Sequence, residues 1–176
     1  MKRTAPARVG ILMGSDSDLP VMAECARVLE GYGVGYDLRV LSAHRTPEAA
    51  ARFARTAESR GLEVLVAGAG GSAHLAGALA AHSTLPVIGV PLAASPLGGF
   101  DALLSTVQMP PGVPVATVGV GPMGARNAGH LAVQILAVRD AILRRSFQAR
   151  RKAMAEEVLA KGRGLPARLR KLLTSS

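Results

Sequence analysis

The sequence predicts an α/β fold, a three-layer sandwich around a five-stranded parallel sheet, and three observations carry that prediction. Short β-type runs alternate with helix-period patterns along the chain, which is how strand–helix–strand crossovers read in sequence. Residues 64–125 hold a single Asp, Glu, Lys or Arg, at Asp101, as strands covered on both faces require. Apolar residues make up 49% of the 176 and aromatic ones 3%, so the core is aliphatic and suits close packing of helices on a sheet.

The first strand is Arg8 to Met13. Val21, Cys25, Val28, Leu29 and Tyr32 then share one helical face, with Asp18 as the expected cap and Pro20 in the first turn. Gly35 to Leu41 is the second strand, and Thr46-Pro47-Glu48 opens a helix running to about Arg60. Glu63 to Ala67 is the third strand, Gly71 to His82 a small-residue helix, and Pro86 to Val90 the fourth strand. Gly98-Gly99 introduces a short helical segment from Asp101, its expected cap, to Val107. Val113 to Val118 is the fifth strand, and Asn127 to about Val158 is one long or broken helix. Right-handed crossovers leave flavodoxin-like and Rossmann-like sandwiches as the alternatives, with ligands at the carboxyl ends of the strands. Residues 1–160 are read as one domain that includes the long helix. Lys161 to Gly164 is read as a linker, and residues 161–176 form a basic tail with Leu165, Leu169, Leu172 and Leu173 on one face.

The formal charge of +9 is unevenly placed. From Arg139 onward there are 11 Lys/Arg and 3 Asp/Glu, whereas the preceding 138 residues carry 10 basic and 9 acidic groups. A near-neutral body with few aromatic rings is a poor platform for single-stranded nucleic acid. Gly, Pro, His and Ser interrupt every apolar run well short of the ~20 residues of a membrane span, and Val9 to Met13 is too short for a signal-peptide core. The single Cys25 cannot form an internal disulfide, shares a stripe with Val21 and Val28, and is expected in the core. The chain reads as soluble and cytoplasmic, with no membrane partner.

Chemistry-bearing residues cluster at three strand ends. Met13-Gly14-Ser15-Asp16-Ser17-Asp18 crowds hydroxyls and carboxylates at a helix start, where amides and hydroxyls hold phosphate and a carboxylate takes a ribose diol. Ser and Asp are also the preferred capping types, so composition leaves an ordinary capped turn open. Ser42-Ala43-His44-Arg45-Thr46 sets an imidazole beside a guanidinium, the group that binds phosphate bidentately; a solvated polar loop is the alternative. Gly68-Ala69-Gly70-Gly71-Ser72-Ala73-His74 lets a ligand approach the backbone. Gly68, Gly70 and Ala73 also satisfy G-x-G-x-x-A, but the run follows the third strand, not the first, and no acidic residue lies about 20 positions on, which argues against dinucleotide binding. His44, His74, His82 and His130 show no metal-ligand spacing. His82 is expected late in its helix, and His130 on a helix surface or at an interface.

These three motifs, with Leu104-Ser105-Thr106-Val107-Gln108-Met109-Pro110, stand in the order and spacing of the N5-carboxyaminoimidazole ribonucleotide mutase family of purine biosynthesis, which the chain resembles from about residue 8 to 155. The resemblance implies a flavodoxin-like subunit of a homo-octamer with sites shared between subunits, no metal and no cofactor. It implies a reaction that moves a carboxylate from the exocyclic nitrogen of the imidazole to its ring carbon. Carried over by motif, His44 is the catalytic acid/base. Ser15, Ser17, Ser42 and Arg45 form the phosphate pocket, Gly14 and Ala43 also contact the substrate, and Asp18 holds the ribose hydroxyls. Gly70, Gly71, Ser72, His74 and Leu75 surround the migrating carboxylate. Leu19, Ser72 and Ala76 depart from common family residues without removing a catalytic group.

Functional coupling to the ATP-dependent synthetase that forms the carbamate belongs to the same expectation. The alternatives are the related branch that carboxylates aminoimidazole ribonucleotide directly, a flavin or nucleotide binding module without chemistry, and sequence-blind nucleic-acid binding through the tail. For the tail, the preferred reading is a solvated amphipathic helix rather than a nucleic-acid partner.

Overall fold

Right-twisted strands joined by helical crossovers fix the topology, and the computed structural model, which describes residues 6–174, shows it directly. The elements are β1 (Ala7–Met13), α1 (Leu19–Gly31), β2 (Gly35–Val40), α2 (Pro47–Thr56), β3 (Val64–Gly70), α3 (Leu75–His82), β4 (Val87–Leu92), α4 (Phe100–Val107), β5 (Ala116–Thr117), α5 (Gly121–Ala137) and α6 (Ala141–Thr174). The strands form one parallel sheet in the order β2-β1-β3-β4-β5, the flavodoxin-like arrangement. The direction of winding reverses between β1 and β3. The carboxyl ends of β1, β2 and β3 therefore open a crevice at the switch point.

Strand alternation divides the core. Leu12, Leu65 and Ala67 join Phe53 and Ala54 of α2 and Leu75, Ala76 and Leu79 of α3 on one face. On the other, Gly68 meets Met22 of α1 so closely that a β-carbon there collides with the thioether. Cys25 is fully buried in that layer, and burial pushes its thiol up to about 12.

Several boundaries differ from the sequence expectation. β3 continues through Gly68, Ala69 and Gly70, and β4 continues through Pro91 to Leu92. The Gly89 carbonyl faces β5, where it accepts the Val118 amide. Pro91, two residues on, turns its missing N–H to the same side, beyond the end of β5, so no ladder bond is lost. β5 shrinks to Ala116–Thr117 behind Pro110, Pro111 and Pro114. α2 stops at Thr56, and a 3-10 turn over Glu58–Arg60 leads to Gly61 in the left-handed conformation.

The long helix is the broken one of the two alternatives. Asp140 accepts the Leu143 amide at 3.0 Å as an N-cap, and Arg144 donates to the Ala137 and Val138 carbonyls. The chain divides after Leu136, and α6 belongs to the second unit. Lys161 to Gly164, expected as a linker, is helical within α6. Its two glycines cost about 1 kcal/mol each relative to Ala, whereas the neighbouring Lys161, Arg163 and Leu165 are good helix formers.

Candidate active site

The end of β1 builds a hydroxyl-lined turn. Ser15 caps a 3-10 turn over Asp16–Asp18, its Oγ accepting the Ser17 amide at 3.3 Å, while Asp18 Oδ2 accepts the Ser15 amide at 3.1 Å. The Ser17 hydroxyl donates to Ser15 Oγ at 2.8 Å. Asp18 was expected to cap α1. It stands at that position without a side-chain cap bond, because its carboxylate is already used on Ser15. Burial holds the Asp18 carboxyl above its ordinary range, opposed by the Ser15 amide and the Arg45 charge.

The end of β2 folds onto this turn. Ser42 Oγ accepts the Arg45 amide at 3.2 Å, and Arg45 Nη2 donates to the Gly14 carbonyl at 2.6 Å, tying the two loops together. Thr46, expected as the cap of α2, makes no cap bond. Its hydroxyl accepts the Ser42 amide at 2.9 Å and donates to the Ser42 carbonyl at 3.0 Å, closing the loop on itself. His44 is thereby aimed across the crevice at His74. His44 Nε2 and His74 Nδ1 lie 2.7 Å apart, with the rings edge to face, so one donates and the other accepts a single shared proton.

The third wall comes from β3 and the turn before α3. A β-carbon on Gly70 falls 2.5 Å from Ala94 Cβ, so only glycine lets the loop after β4 close on β3. Gly71 at φ 59° and Ala73 at φ 44° break the helix expected from Gly71, and α3 starts at Leu75 instead. Ala73 is the one non-glycine with positive φ among the described residues, a strain held by the wall of the crevice.

These ends enclose a cavity of about 450 Å³ lined by Gly14, Ser15, Ser17, Asp18, Ser42, Ala43, His44, Arg45, Gly70, Gly71, His74 and Leu75. Among the expected site residues Ser72 alone is absent from the lining, and it is exposed. Ala69 and Ala73 of the same glycine-rich run also line the cavity, and so does Ala94, which lies outside the sequence motifs. The signal for Ala94 was available, since β4 neighbours β3 and its end must lie beside the glycine loop.

A larger hollow of about 1120 Å³ opens at the amino ends of β4 and β5, lined by residues that include Arg55, Glu58 and His82. It lies at the opposite end from where open α/β sheets hold ligands. His82 ends α3, and His130, half-buried on α5, packs edge-on to Tyr32. Asp101 was expected to cap α4, but Gly99 occupies the cap position and Asp101 accepts the Ser95 hydroxyl at 2.7 Å. Among the described residues no group of three or more His, Cys, Asp or Glu is placed to hold a metal.

One cavity thus joins a guanidinium and three hydroxyls suited to an anion, a carboxylate suited to a diol, and an imidazole pair able to move a proton. The profile of the AIR carboxylase family matches residues 8–157. The chain is 59% identical to the N5-carboxyaminoimidazole ribonucleotide mutase of Pyrococcus abyssi over 139 residues, 79% of each chain. It is 51% identical to that of Thermotoga maritima over 158 residues, 90% of this chain and 91% of the relative. The crystal structure of Treponema denticola PurE superposes with a TM-score of 0.77 at 28% identity, covering 86% of this chain and 94% of that one.

Proposed function

Because the chain belongs to the AIR carboxylase family, we propose that it is an N5-carboxyaminoimidazole ribonucleotide mutase, moving the carboxylate of its substrate from the exocyclic nitrogen to ring carbon 4 in purine biosynthesis without ATP. The observation that carries this reading is the joining, in one 450 Å³ cavity, of anion, diol and proton-transfer groups with a wall of glycine and alanine. Ser15, Ser17, Ser42 and Arg45 hold the phosphate, and Asp18 takes the ribose hydroxyls. Gly70, Gly71, His74 and Leu75 surround the migrating carboxylate, and Ser72 stands on the exposed side of the same loop.

His44 donates its proton to the carbamate nitrogen, the N–C bond breaks, and carbon dioxide is released beside neutral aminoimidazole ribonucleotide. Ring carbon 4 attacks the carbon dioxide, and the now neutral His44 removes the proton left on that carbon, so the proton count closes. His74 Nδ1, 2.7 Å from His44 Nε2, orients the imidazole toward the cavity. Acid/base catalysis of this kind contributes about 10² to 10⁴ in rate, roughly 3 to 5 kcal/mol. The small aliphatic wall retains carbon dioxide between the two steps.

Self-association into an octamer is part of the proposal. It is supported by Phe100, Leu104 and Val107, which recur at i, i+4 and i+7 on α4 and are left exposed, near exposed Leu97. The substrate is supplied by an ATP-dependent carbamate-forming synthetase, and the expected setting is the cytoplasm.

An ATP-free absorbance assay of carbamate conversion tests the function. Turnover by the wild type and a loss of at least about 10² in His44→Asn are expected. An inactive but folded and assembled wild type, or faster product formation from aminoimidazole ribonucleotide at low bicarbonate than from the carbamate, contradicts the assignment.

A further inference from the structure

The family profile matches up to residue 157, and no residue proposed for the mutase site lies beyond it. From Val158 onward the sequence carries five Lys/Arg and no Asp or Glu, and α6 continues to Thr174. At the helical repeat, Val158, Leu165, Leu169 and Leu172 fall within a wedge of about 60°, and they are 68%, 57%, 57% and 70% exposed.

Gly162 lies in the same stripe. Gly162, Leu165, Pro166 and Leu169 are spaced i, i+3, i+4 and i+7, the four corners of the hole that receives a knob in helix-on-helix packing. They line a concavity of about 620 Å³ together with Arg168 and Leu172. The hole is not a by-product of packing within the chain, because a β-carbon on Gly162 meets nothing within 4 Å. Glycine and proline both weaken a helix interior, so the hole stands against local propensity.

The borders of the stripe carry one sign of charge. Lys161 and Arg168 follow one edge, and Arg170 lies beyond the other. A second copy of this helix sets cation against cation and is disfavoured. A nucleic-acid duplex takes the charges and leaves the leucines in water, and a lipid surface has no use for a hole. We propose that residues 158–173 are the docking surface for an acidic amphipathic helix of a partner protein, with one apolar side chain seated between Gly162 and Leu169 and its Asp/Glu facing Lys161, Arg168 and Arg170.

The probe is a fluorescent synthetic helix with Leu at the a and d positions and Glu at e and g, titrated with the full chain and followed by anisotropy. Salt-sensitive binding is expected, weakened at least about tenfold by Gly162→Leu and by Leu169→Glu, and absent when the probe's Glu are replaced by Lys. Leu at 162 raises helix propensity and enlarges the apolar face, so weakened binding reports the filled hole and not a lost helix. Unchanged or tighter probe binding by Gly162→Leu overturns the proposal. So does preferential binding to phosphatidylglycerol vesicles or duplex DNA, or self-association in sedimentation that Leu169→Glu abolishes.

Discussion

Gly70→Ala probes the contact that closes the catalytic crevice. The added β-carbon stands 2.5 Å from Ala94 Cβ and 3.3 Å from the Leu92 carbonyl oxygen, against an ordinary contact of 3.4–4 Å, so β3 and the loop after β4 must separate by about 1 Å. Neither neighbour is the end of a flexible side chain, and no rotamer change relieves the overlap. Overpacking of this kind costs about 1–3 kcal/mol, which lowers Tm by about 2–12 °C for a chain of this size. A shift of about 1 Å in the wall facing His44 is expected to cost about 10² in kcat/KM. Scanning fluorimetry and the ATP-free assay read the two effects. Ala94→Gly removes the obstructing carbon, so the double variant is expected to recover most of both losses. Gly71→Ala is the contrast: nothing lies within 4 Å, and its penalty comes from φ 59° alone, about 1–2 kcal/mol, which Ala94→Gly cannot relieve. A wild-type Tm for Gly70→Ala, or no rescue by Ala94→Gly, refutes the reasoning.

Three further outcomes follow from the site. His74→Leu leaves His44 Nε2 without its partner and is expected to lower kcat about tenfold, whereas His74→Asn keeps an acceptor near Nδ1 and much of the rate; equal rates, with unchanged pH profiles, make the imidazole contact incidental. Arg45→Lys replaces a planar fork by a point charge and frees the Gly14 carbonyl, so KM is expected to rise about 10- to 100-fold with little change in kcat; an unchanged KM removes Arg45 from the phosphate site. Asp18 has its folded pKa raised by burial above the 3.8 of the free group, so the fold favours the protonated carboxyl and stability from this group falls as pH rises through that interval. Asp18→Asn is therefore expected to raise the Tm of the unliganded protein at pH 7, with the gain vanishing below pH 3.8, while weakening substrate binding; thermal melts at pH 7 and pH 3 with the opposite order contradict it.

The fold was legible because β1, β3 and β4 are aliphatic runs separated by helix-period segments, and such runs have few other solutions. The crevice was legible because its groups sit in short motifs at strand ends, where topology brings them together. The misread strand and glycine positions share a cause: each depends on a partner distant along the chain. Pro91 argues against a strand until β5 is known to stop short of it. Gly68 and Gly70 look like loop residues until Met22 and Ala94 are seen to occupy the space of a β-carbon. Asp18, Thr46 and Asp101 have the right types and positions for caps, but Ser15, Ser42 and Ser95 engage their side chains first. The imidazole pair joins residues 30 positions apart across the switch point, beyond any local spacing rule.

The central claim is that one cavity releases and recaptures the same carboxylate. It is tested most directly by converting substrate labelled with ¹³C in the carbamate carboxyl, in unlabelled bicarbonate buffer, and measuring the label in the ring-carboxylated product. Retention of most of the label in product formed by the wild type is the expected result. Product carrying only the buffer's carbon at early times contradicts the account and assigns the chain to direct carboxylation.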